Sequence, residues 1–120
     1  MSRFFFHIIT GPHDPTRAAL GLLVARTALE AGHDVDLFFA GDGVANLRAA
    51  TLDTAVGIGT GSMREHVTAL AAGGAHFYAS GQSSKARGLG PDQVGEVAVQ
   101  FSPPDVLVRL LFAADRTLTY

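Results

Sequence analysis

The chain contains no cysteine and no tryptophan, and of its nine basic residues only Lys85 is a lysine. Without cysteine there is no disulfide, thiolate-zinc site, iron–sulfur ligation, thiol catalysis or persulfide carriage. Without lysine runs there is no polybasic tract to hold an anionic membrane surface or serve as a targeting signal. Nine basic against eleven acidic residues leave a formal net charge of -2, which lacks the basic excess that a phosphate backbone demands. Nucleic acid and membranes are therefore not expected partners. No run approaches the roughly 18–20 apolar residues of a membrane span. The N-terminus has no charged, apolar and small-residue succession of a secretory signal, so a cytoplasmic protein is expected.

What is present is 120 residues, 48% of them apolar. A chain of this length suits one domain and buries about two thirds of its unfolded surface. Residues 3–9, RFFFHII, form an apolar, aromatic and β-branched run closed by Gly11 and Pro12, the pattern of a strand buried on both faces. Asp14 or Thr16 can cap a helix whose stripe is Ala18, Leu22, Ala25 and Leu29, with Pro15 near its first turn and Gly32 past its end. Residues 33–40 give a second strand, with Val35, Leu37 and Phe39 on one face.

Residues 44–50 suit a short helix, while residues 51–61 hold three glycines without a consistent period and read as loop. Ser62 and Glu65 make a capping box for a helix through Val67, Leu70 and Ala71 that Gly73 and Gly74 end. Residues 75–80 are a third strand. A short helix is expected to open at Gln82 or Ser83 and close at Gly88, and residues 94–101 to form a fourth strand. Pro103 and Pro104 precede an apolar helix over 105–113, and residues 116–120 close the chain as a fifth strand. Strands alternating with helices predict an α/β fold: a single-domain three-layer sandwich, with a mainly parallel sheet covered by helices on both faces.

In such sheets ligands bind beyond the carboxyl ends of the strands. That rule selects residues 10–15, 41–46 and 80–84, whose polar members include His13, Asp42, Ser80 and Gln82. His13 beside Asp14 has a placement and an ordinary pKa suited to acid–base work, though a loop histidine is commonly just solvated. The five histidines show no HxH, HxxxH or HExxH spacing, and Gly57, Gly59 and Gly61 lack the strand and spacing of a dinucleotide fingerprint. No metal or cofactor is expected. Ser80 lacks the G-x-S-x-G surroundings of a hydrolase nucleophile.

Four blocks in order, residues 11–18 (GPHDPTRA), 32–44 (GHDVDLFFAGDGV), 78–89 (YASGQSSKARGL) and 114–118 (ADRTL), resemble DsrE/DsrF-like proteins over essentially the whole chain. The resemblance implies five mainly parallel strands and a cytoplasmic homo-oligomer, commonly a trimer or hexamer. Sulfur-trafficking members carry a cysteine at the end of the third strand, and here Ser80 stands in that place. A serine hydroxyl forms no persulfide, and without an adjacent base it is un-ionised at neutral pH. What survives is a helix N-terminus behind Gly81 with Lys85 and Arg87 close in sequence, able to hold an anion. Arg87 is equally suited to an ion pair across subunits.

The expected ligand-binding residues are His13, Asp42, Ser80, Gly81, Gln82 and Arg87, with a small anion or metabolite as ligand. The expected role is a non-catalytic oligomeric or anion-binding module. An enzyme acting on a small polar substrate at the same rim, and a subunit whose partner supplies the thiol, are the alternatives.

Overall fold

A computed structural model describes residues 1–95 and 97–120. Its strands are β1 (Arg3–Ile8), β2 (Asp34–Phe39), β3 (Val56–Gly57), β4 (Gly61–Ser62), β5 (His76–Ser80), β6 (Val99–Ser102) and β7 (Arg116–Thr119). Its helices are α1 (Pro15–Glu30), α2 (Ala49–Thr54), α3 (Met63–Ala72), α4 (Gly81–Ala86) and α5 (Pro104–Ala113), with a 3-10 helix over Gly41–Leu47. Five strands pair in the order β6-β5-β2-β1-β7, and every pairing is parallel. The expected α/β architecture is therefore what the chain adopts.

The steps β1 to β2, β2 to β5 and β5 to β6 all run one way across the sheet, and only β6 to β7 returns. Right-handed crossovers then stack α1 and α3 on one face and place α5 alone on the other. The packing agrees, because Phe6, Leu37 and Phe39 bury against Leu22 and Ala25 of α1 and Val67 and Leu70 of α3, with no residue of α5 in that core. Burying a Leu or Phe of this kind stabilises the fold by about 1.5–3 kcal/mol. Phe5 and Phe38 are also buried, on the second face, so β1 has apolar cover on both sides as its sequence predicts.

Helix starts follow the sequence closely. The Asp14 carboxylate accepts the Arg17 N–H at 3.1 Å, and the Ser62 hydroxyl accepts the Glu65 N–H at 3.3 Å. Residues 49–62 depart from the expected loop: α2 runs over Ala49–Thr54, and β3 and β4 make a small antiparallel hairpin. Tertiary latches hold that hairpin. Thr16 Oγ1 accepts the Ile58 N–H at 3.0 Å, Thr60 Oγ1 donates to the Thr16 carbonyl at 3.0 Å, and His66 Nε2 donates to the Thr60 carbonyl at 2.7 Å. Gly61 sits against the His66 ring at φ +88, a left-handed conformation that a side chain would strain.

The fourth strand is shorter than its expected span of 94–101, which includes Glu96, outside the described residues. β6 begins at Val99, and Val94 instead makes an isolated bridge with Arg48.

Candidate functional site

The carboxyl edge of the sheet is built from the turns after β1, β2 and β5. Phe39 ends β2, and the chain turns at once into the 3-10 helix 41–47. Gly43 makes this possible: a Cβ there would collide with the Ile8 carbonyl. Gly11 likewise lies against the Asp42 backbone. The Asn46 side-chain amide donates to the Thr10 carbonyl at 2.8 Å, fastening this turn to the one after β1.

β5 ends at Ser80, and α4 starts at the next residue, earlier than expected, because Ser80 is itself the cap. Its Oγ accepts the Ser83 N–H at 3.1 Å. Ser83 Oγ in turn accepts the Gly41 N–H at 2.9 Å, joining α4 to the turn after β2. Arg87, just past α4, donates from Nη1 to the Ser83 carbonyl at 3.1 Å and from Nη2 to Asp42 Oδ1 at 2.9 Å. The Arg87 and Asp42 side chains are 35% and 62% exposed, so their ion pair faces solvent.

Of the six residues chosen from sequence, the fold thus brings Asp42, Ser80, Gly81 and Arg87 into one connected rim. Gln82 stands on the exposed side of α4, and His13 is exposed on the turn after β1. Among the described residues neither side chain is hydrogen-bonded to the rim. Two shallow grooves, of about 410 and 380 Å³, lie elsewhere: one beside Asp14, Arg17 and Tyr120, the other between α1 and α3 beside Arg26 and Arg64. Among the described residues no group of three or more His, Asp or Glu could hold a metal ion.

Sequence reasoning missed a polar cluster on the second face of the sheet. Asp36, buried in β2, receives Arg3 Nη1 at 3.1 Å on one oxygen and His76 Nδ1 at 3.0 Å on the other. The hydrogen bond and the negative charge of Asp36 raise the Arg3 pKa above its ordinary value. Burial, assisted by Asp36 and opposed by Arg109 and Arg3, pushes the Tyr78 hydroxyl up. His7 lies on the same face with its Nε2 buried and unpartnered, and burial lowers its pKa. His76 makes a ring hydrogen bond on this face, whereas His7 Nε2 makes none. The available signal was the alternation in residues 33–40, which puts Asp34 and Asp36 opposite the apolar face.

A family model described as the DsrE/DsrF-like family matches residues 2–120. A search of curated proteins returned no match. Among solved structures, the ychN protein from E. coli superposes with a TM-score of 0.82 at 20% identity, covering 100% of both chains. A protein of unknown function, MTH1491 from Methanobacterium thermoautotrophicum, superposes with a TM-score of 0.76 at 22% identity, again over 100% of both. These likenesses establish the shared fold.

Proposed function

Because the chain belongs to the DsrE/DsrF-like family and has no cysteine, we propose that it is a non-catalytic, oligomeric module that binds a small anion at the carboxyl rim. Sulfur carriage on a residue of this chain would need a thiolate, and Ser80 supplies none. Nor is Ser80 placed as an activated nucleophile. Its Oγ caps α4, and among the described residues no base is hydrogen-bonded to it.

The observation that carries the anion reading is the exposed pair between Arg87 and Asp42. Nη1 is anchored on the Ser83 carbonyl, which fixes the guanidinium plane, while Nη2 meets a solvent-facing carboxylate. Exposed pairs of this kind contribute only about 0.2–1 kcal/mol, so a ligand carboxylate or oxyanion can take the place of Asp42. The first turn of α4 begins at Gly81, and backbone N–H groups at a helix start suit negative charge.

Thermal denaturation across a panel of inorganic sulfate, inorganic phosphate and small carboxylates, at constant ionic strength, tests the reading. A ligand that binds the folded chain raises Tm by mass action. The expected result is a saturable rise that Arg87→Ala removes. The same rise in both proteins, or none in either, would overturn it.

A further inference from the structure

Beside the turn after β1 lies a groove of about 410 Å³ that the anion-binding rim does not use. One wall of it is apolar and fixed in place. The Tyr120 N–H donates to the His7 carbonyl at 2.9 Å, and the Tyr120 carbonyl accepts the Ile9 and Thr10 N–H groups at 2.6 and 3.1 Å. The side chain of Tyr120 then lies on α1 at Gly21, where a Cβ would come within 2.9 Å of the ring. Glycine inside a helix is destabilising relative to alanine, and here it is what admits the ring. Leu20, 38% exposed, continues the same wall.

Two charges of opposite sign, Asp14 and Arg17, line the groove as well. They are joined through the backbone, since Asp14 Oδ1 accepts the Arg17 N–H at 3.1 Å. Among the described residues neither side chain belongs to an ion pair, with the other or with any third group. We propose that the groove binds a free α-amino acid with an apolar side chain: its ammonium at Asp14, its carboxylate at Arg17, and its side chain against Leu20 and Tyr120.

The charges choose the ligand. A bare anion such as sulfate meets Asp14 and a simple amine meets Arg17, so a ligand of one sign is repelled by one of the two. The interior of a peptide has neither charge, and each of its ends has one. A free amino acid carries both on one carbon. Both contacts are then charge-assisted, and the planar fork of arginine suits a carboxylate. An apolar side chain covers wall that water would otherwise wet. The volume also sits at the small end of the roughly 300–1,000 Å³ typical of ligand pockets.

Nitrogen–proton correlation NMR of the full chain tests the site, with L-leucine, N-acetyl-L-leucine and L-leucinamide as probes near about pH 6.5, where the amines are protonated. L-leucine is expected to shift Arg17 Nε and the Leu20 and Gly21 N–H groups saturably, and each derivative to bind about tenfold more weakly. Asp14→Asn keeps an oxygen to cap α1. It should weaken L-leucine about tenfold without weakening N-acetyl-L-leucine, which has no ammonium. Arg17→Gln should weaken L-leucine without weakening L-leucinamide, which has no carboxylate. A fold defect weakens all three probes together and produces no such crossed pattern. No saturable shift with L-leucine, equal affinity for the three probes, or uniform weakening in the variants overturns the proposal. Glycine binding as tightly as L-leucine overturns the apolar side chain as part of the ligand. The sulfate response of the rim, read through Arg87→Ala, is independent of every one of these outcomes.

Discussion

Arg87 reaches back across the carboxyl edge of the sheet to Asp42, 45 residues earlier, and meets its Oδ1 at 2.9 Å. The pair ties the end of α4 to the 3-10 helix after β2, and it sets the charge of the rim. Asp42 occupies Nη2, one of the guanidinium nitrogens that an incoming anion would use. Replacing Asp42 with Asn leaves Arg87 charged and uncompensated. Sulfate affinity, followed as the concentration needed for half the Tm rise, is expected to increase several-fold, while stability without sulfate changes by less than about 1 kcal/mol. Unchanged sulfate affinity would detach the pair from the site.

Ser80 is a cap in this chain, and its removal has a calculable effect. Ser80→Ala loses the bond to the Ser83 N–H and is expected to cost about 0.5–2 kcal/mol in chemical denaturation. Ser80→Cys places a thiol at the same turn, facing the first-turn N–H groups and close in sequence to Lys85 and Arg87. Its alkylation rate should titrate with a midpoint below the ordinary value of about 8.5. A midpoint at the ordinary value would mean that the turn does not favour negative charge.

Breaking the cluster around Asp36 is expected to be more damaging than breaking the rim pair. The Asp36 side chain is 2% exposed, and Arg3→Met removes one of its two partners while keeping the length of the stem. A buried charge left short of partners costs about 3–5 kcal/mol. Arg3 is 40% exposed and His76 stays in place, so a loss of about 2 kcal/mol is expected by urea denaturation. A loss below that of Asp42→Asn would contradict the ordering.

His7 gives the fold a dependence on pH. Burial lowers its pKa below the ordinary 6.5, so the unfolded chain takes up the proton first as pH falls. Its contribution is therefore complete above about pH 6.5 and declines as pH falls, levelling off below the folded pKa. His7→Phe keeps an aromatic ring between Phe5 and Phe38 and removes the titration. The fall in Tm between pH 7.5 and pH 5 should be smaller in His7→Phe than in wild type, and an equal fall would clear His7 of the effect.

The parts of the molecule legible in sequence are those set by neighbours along the chain. The apolar run 3–9, the Asp14 and Ser62 caps and the strand ending at Ser80 each depend on residues within a turn or a strand length. The hairpin at 56–62 does not: Thr16 and His66 hold it from two different helices, and its three glycines suggest only a loop. Asp36 is a similar case. The parallel register sets His76 against it and Arg3 against Asp34, pairings 40 and 31 residues apart that no local period reveals. At the rim, the strand pattern puts Asp42 and Ser80 on the carboxyl edge, but the contact that brings Arg87 to Asp42 and the link through Ser83 and Gly41 are purely tertiary. His13 was chosen for its chemistry, and its turn leaves it in solvent.

The most direct test of the anion-binding rim is a nitrogen–proton correlation NMR titration of the labelled chain with inorganic sulfate, ionic strength being held with chloride. Saturable shifts are expected at the backbone N–H groups of Gly81 and Gln82 and at Arg87 Nε, and Arg87→Ala should abolish them. Shifts that do not saturate, or that centre on the groove beside Asp14 and Arg17, would contradict the account.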